Sequence, residues 1–205
     1  MADTHIGARK DRQHEESRVE IKQKVQLKKK GDEGFVAVKQ LLVQLKWTAS
    51  VDLDLMAFYK AKDGSVGAVF SSQYPGGSMG DLNEAPFIML DQDAAVGGSG
   101  GDHVETLRIT KLDHIAELHI IALNYTDASA QRSVNFATYD GNVTVLQDNG
   151  AALEVPLSSD TSGHVAHVCT IDNSSPMGAK LVNVNNVLSL QEFVSTVPGA
   201  RALVS

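Results

Sequence analysis

Asp52 and Asp54 stand two residues apart in the stretch VDLDL, residues 51–55. In an extended strand successive side chains alternate between faces, so the two carboxylates share one face while Val51, Leu53 and Leu55 share the other. A sheet with one buried face accounts for the leucines. It leaves two like charges side by side, at a cost on the order of 3 kcal/mol for an effective dielectric near 20 and far less if both are solvated. A second concentration of acid follows in LDQDAAVGGSGGDHVE, residues 90–105, where Asp91, Asp93, Asp102 and Glu105 are interspersed with Gly97, Gly98, Gly100 and Gly101. Glycine lets the backbone curl tightly, and such a curl can aim carboxylates and main-chain carbonyls at one point.

The donors in these two stretches are oxygens, which suit the hard cations Ca²⁺, Mg²⁺ and Mn²⁺, whereas zinc favours His or Cys. Calcium takes six to eight oxygens in flexible geometry, main-chain carbonyls included, and so fits a glycine-rich acidic loop better than magnesium does. The spacing is not that of an EF-hand. Taken from the residues alone, the cluster reads as a calcium site, as a solvated acidic loop, or as something else. Asp81 and Asn83 in YPGGSMGDLN are further oxygen donors, or simply a turn. That stretch lacks the Lys-Ser/Thr of a phosphate cradle.

Other reactive residue types point to structure. Cys169, the single cysteine, lies in the apolar run HVAHVCTI, where it reads as a packed thiol, and one cysteine fits a reducing compartment. His164 and His167 are three apart, which in a strand puts them on opposite faces and argues against zinc. His114 and His119 flank apolar strand residues and read as surface or edge histidines, with proton sensing as the functional alternative. No nucleophile–base–acid motif of the G-x-S-x-G kind is present.

The elements that would position these residues are short runs of β-branched and aromatic residues separated by Gly, Asp, Asn, Pro and Ser, from Val19 to Leu188. About ten short strands at regular spacing predict an all-β antiparallel sandwich. Val19, Ile21, Val25 and Leu27 alternate with polar residues as a half-buried strand would, Asp63-Gly64 reads as a primed hairpin turn, and SVNFATY reads as a strand. Ser189 and Glu192 have capping-box spacing and predict at most one short C-terminal helix. Trp47, Tyr59, Phe70, Phe87 and Phe136 are the expected core aromatics.

At 205 residues and a net charge of −7, the chain fits one domain with tails. Residues 1–30 hold nine basic and five acidic side chains. Residues 1–17 read as a disordered, flexible arm ahead of a domain spanning 18–205. The acids within the arm argue against nucleic acid as its partner. There is no signal peptide pattern and no apolar run near the ~20 residues that span a bilayer, so the expectation is a cytoplasmic protein.

The order VQLKKKG, LLVQLKWTASVDLDLMAFY and GGSMGDLNEAPFIMLDQDAAVGGSGGDHVETLRI resembles the tellurium-resistance and stress-protein family built on the TerD domain, with GDLNEAPFIMLD most similar to its TerA-like branch. The resemblance runs from about Val25 to about Leu123. It implies a β-sandwich that binds Ca²⁺ at one end through Asp52 and Asp54 in the strand and Asp91, Asp93 and Asp102 in the loop, joined by carbonyls near Gly97 and Ser99. It also implies a non-catalytic scaffold in bacterial stress response and tellurite resistance, working with other stress-response proteins at the cytoplasmic membrane surface. Many members end the loop in GDDE, whereas this chain has His103 between Asp102 and Val104, with Glu105 one residue displaced. One or two ions are therefore expected. The competing reading is a divalent-metal-dependent hydrolase built on the same carboxylates.

Overall fold

The computed structural model describes residues 21–37, 39–91 and 103–204. The expected arm, residues 1–17, and four of the predicted ligand positions, Asp93, Gly97, Ser99 and Asp102, lie outside them. Along the chain the strands are β1 (Gln23–Gln26), β2 (Glu33–Val36), β3 (Leu41–Trp47), β4 (Leu53–Ala61), β5 (Val66–Val69), β6 (Gly80–Asp81), β7 (Ile88–Leu90) and β8 (His103–Ile109). They continue as β9 (Ile115–Asn124), β10 (Val134–Asn135), β11 (Asn142–Gln147), β12 (Ala151–Pro156), β13 (Ser162–Gly163), β14 (Val165–Asp172) and β15 (Ala179–Leu188). Most of the excess over the expected ten lies in the two- and three-residue pieces β6, β7, β10 and β13, too short for a sequence periodicity to register.

Seven strands form one sheet in the order β1-β12-β11-β3-β8-β7-β6, and six form the facing sheet in the order β2-β15-β14-β9-β4-β5. Pairing is antiparallel apart from β1 with β12. Alternation does what it should in β3, where Leu41, Val43, Leu45 and Trp47 are buried and the residues between them half-buried. These side chains pack with Leu53, Leu55 and Ala57 of β4, Leu107 and Ile109 of β8, and Ile120 of β9 in the core between the sheets. Among the described residues no helix is long and apolar enough to cross a membrane.

A second apolar layer lies on the outer face of the six-stranded sheet. Met56, Phe58, Ile121, Leu123 and Val165 are covered there by Phe193 of α2 (Leu190–Thr196) and by Ala200 of the 3₁₀ segment Ala200–Val204. The capping box is formed as expected, with Ser189 Oγ accepting from the Glu192 amide and the Glu192 carboxylate accepting from the Ser189 amide. Because α2 covers this face, β4 is buried on both sides from Leu53 to Phe58, and the expectation of a single buried face is overturned.

Several local readings change for identifiable reasons. The strand at β1 is an exposed edge, with Ile21 48% and Val25 42% exposed and only Leu27 buried. In the β4–β5 hairpin only Gly64 takes a positive φ, and its amide donates to the Ala61 carbonyl, so the loop is a type I turn closed by a left-handed glycine and not a primed turn. SVNFATY yields only β10 before Asn135 caps a 3₁₀ turn, Phe136–Tyr139, which ends at Asp140 in the left-handed region. Asn124, the last residue of β9, caps a short helix α1 (Tyr125–Ser129). Trp47, Phe70 and Phe136 are core residues, whereas Phe87 is half-buried under the Lys111 ammonium and beside His114.

Candidate functional site

Trp47 ends β3 fully buried, and its indole Nε1–H donates to the Val51 carbonyl at 2.9 Å. This bond closes the turn 48–51 and sets where β4 begins, hence where Asp52 and Asp54 are presented. Across the β3–β8 ladder Trp47 is the register partner of His103, and the two rings stack with centroids 5.2 Å apart and planes at 18°. The histidine that interrupts the acidic run therefore anchors the first residue of β8 on the same indole.

On its free edge β4 is paired by β5 only over Ala57–Lys60. Beyond that ladder, Glu105 reaches across from the seven-stranded sheet, and its carboxylate accepts the Leu55 amide at 2.5 Å. Glu105 is 6% exposed, and a carboxylate so buried needs such a donor. Glu105 thus belongs to a strand rather than to the acidic loop, and its carboxylate meets the amide of the residue next to Asp54.

Asp54, 8% exposed, turns to the outer face and accepts the Tyr74 hydroxyl at 2.7 Å. Burial pushes the Tyr74 phenol well above its ordinary pKa, and the nearby charges of Asp54 and then Asp52 push it further. Tyr74 is held by a tight loop in which the Tyr74 amide donates to the Ser71 carbonyl and the Gly77 amide donates to the Tyr74 carbonyl. A Cβ on Gly77 would come within 2.1 Å of the Ser71 carbonyl oxygen, so the loop requires glycine there. The Tyr74 ring also packs edge-on against Phe70 and Tyr125. Tyr74→Phe should cost roughly 2 kcal/mol in urea unfolding, the scale of a hydrogen bond to a charged, buried partner. A loss within a few tenths of a kcal/mol would contradict this geometry.

The structure therefore brings Asp52, Asp54 and Glu105 to one end of the sandwich, from which residues 92–102 connect β7 to β8. It does not bring Asp91 to them. Asp91 follows inward-facing Leu90 and lies on the outer face of the seven-stranded sheet, where Arg108 Nε donates to both of its oxygens at 2.9 and 3.0 Å. Asp81 is elsewhere too, since it pairs with Ile88, itself opposite Ile109, four residues along β8 from Glu105 or about 13 Å. Its carboxylate accepts the Asn83 and Glu84 amides, which lower its pKa, as a plain turn would. Tyr74 escaped the sequence reading because YPGGSMGD drew notice for its glycines, and no spacing ties residue 74 to residue 54.

The donor chemistry, carboxylate oxygen, fits a hard cation. Among the described residues no group of three or more His, Cys, Asp or Glu is assembled to hold a metal ion, so a complete shell would need further donors.

The chain matches no known protein-family model and no curated protein. Solved structures that overlap with it include the following two. A homologue of the telluride resistance protein TerD from Streptomyces coelicolor A3(2) is 17% identical over 75% of this chain and 92% of its own, with a TM-score of 0.46. A protein of unknown function, SAV2460, is 12% identical over 77% of this chain and 95% of its own, with a TM-score of 0.51. At that identity the second overlap bears on the fold alone.

Proposed function

We propose that this chain is a calcium-binding, non-catalytic scaffold of the kind its resemblance to TerD-domain proteins implies, acting in bacterial stress defence alongside other stress-response proteins. The observation that carries the reading is the bond from the Leu55 amide to Glu105, which ties the acid-bearing end of β4 to the strand that leaves the glycine-rich acidic run. On this reading Asp52 and Asp54 supply carboxylate oxygens. Asp93, Asp102 and carbonyls near Gly97 and Ser99 complete the shell, and Glu105 holds the two sheets in register beneath it. Asp91 is left to Arg108.

Bound calcium neutralises the clustered acids and turns this end of the sandwich into a fixed surface for partners. A ligand at a hundred times its Kd adds about 2.7 kcal/mol to folding stability. For a domain of this size that raises Tm by roughly 5–10 °C. Thermal unfolding with calcium and with a chelator should show that gap in the wild type and no gap in Asp52→Asn/Asp54→Asn. Superimposed wild-type curves would refute the proposal.

A further inference from the structure

The outer face of the six-stranded sheet carries a polar cluster unrelated to the acidic end. Register places His119 of β9 directly opposite Thr170 of β14. The β14 register slips between His167 and Cys169, and a bulge of this kind breaks alternation, so that His167 and Thr170, three apart, fall on one face. His119 Nδ1 lies 3.1 Å and His167 Nε2 lies 2.9 Å from the same Thr170 hydroxyl oxygen, with the two rings edge-on at 5.2 Å. The surface or edge position expected for His119 is thereby corrected, because it is buried.

One hydroxyl has one proton and two acceptor positions. With both imidazoles neutral it donates to one ring nitrogen and accepts from the other, and the chain is satisfied. A first added proton can still be accommodated by reversing the hydroxyl, beside Glu117, whose Oε2 is 3.4 Å from His119 Nε2. A second proton leaves the hydroxyl hydrogen without a ring acceptor and puts two cations side by side, one buried and one half-buried.

The charged groups around the pair are of both signs. From β9 comes Glu117, and from β4 comes Lys60, 4.0 Å from Glu117, with apolar Phe58 opposite His119. From β14 comes Asp172, opposite Lys180 of β15, and Lys30 reaches Asn186 of β15, the register partner of His167. Lys180 is itself paired with Glu33 of β2 at 2.9 Å, so three ammonium groups face three carboxylates around the pair, and burial is what holds the rings neutral. Burial lowers the pKa of His119, with Glu117 opposing. Burial, then His119, then Lys30 lower that of His167 to about 3.

We infer that His119, Thr170 and His167 form an acid-sensitive latch, closed while both rings are neutral and opened at the β14 bulge when they are protonated. The sign follows from linkage. Both folded pKa values lie below the ordinary 6.5, so the unfolded chain binds more protons below that pH. The latch contributes fully above about pH 6.5 and is lost as pH falls toward 3. For His167 alone the unfolding constant at pH 5.0 should rise about thirty-fold over its value at pH 7.5.

Urea unfolding of the full chain at both pH values, with excess calcium and again with chelator, tests this in wild type and His167→Gln. The wild-type rise should exceed that of His167→Gln by about thirty-fold in both calcium conditions, which separates the latch from the acidic end. Equal rises would overturn the inference. Should the variant not fold, hydrogen exchange of the wild type serves instead. Amides of 165–169, corrected for intrinsic rates, should lose protection at pH 5.0, and unchanged protection would overturn it.

Discussion

Trp47→Ala should cost about 3–5 kcal/mol in denaturant unfolding and lose calcium affinity together with stability. The magnitude is that of deleting a fully buried aromatic side chain. It is large beside the ~5–15 kcal/mol that holds a typical domain together. The coupling to the ion follows from what the indole touches. It donates to the Val51 carbonyl just ahead of Asp52, and it stacks on His103 at the head of β8, so it fixes both strands that bring acids to this end. Trp47→Phe keeps a ring for His103 but loses the donor and part of the indole's volume. Its loss should be nearer 1–2 kcal/mol, and its calcium affinity should fall between those of wild type and Trp47→Ala. Full calcium affinity in Trp47→Ala, measured where the variant remains folded, would show that the indole does not position the site.

Phe193→Ala should destabilise as much, about 3–5 kcal/mol, and leave calcium binding unchanged. Phe193 is fully buried, meets Phe58 edge-on at 5.1 Å, and seals the outer apolar layer from α2. Its loss opens a cavity above β4 on the side of Met56 and Phe58, two to four residues beyond Asp54. Neither the Trp47–Val51 bond nor the Glu105–Leu55 bond involves that helix. The two variants therefore separate stability from binding. If both lose affinity in proportion to stability, binding follows global folding and the positioning role given to Trp47 fails.

How much of this was legible in the sequence depended on the range of the interaction. The alternation in LLVQLKW and the Ser189–Glu192 cap are local, and both are realised. α1 carried a local signal as well, since Asn124 three residues ahead of Asp127 is N-cap spacing and the Asn124 side chain accepts the Asp127 amide. The burial of Asp54 was partly legible, because the face that carries Asp52 and Asp54 turns apolar at Met56 and Phe58, a mark of a strand covered on both sides. What covers it, α2, comes more than 130 residues later in the chain. The Glu105–Leu55 bond joins two sheets, and the His167–Thr170 contact depends on a bulge, so neither follows from residue spacing.

The most direct test is a calorimetric calcium titration of the purified chain, wild type against Asp52→Asn/Asp54→Asn. The wild type should take up one or two ions with saturable heat that excess magnesium does not abolish, and the double variant should show none. Equal calcium uptake by both proteins, or no saturable heat from the wild type, would contradict the account.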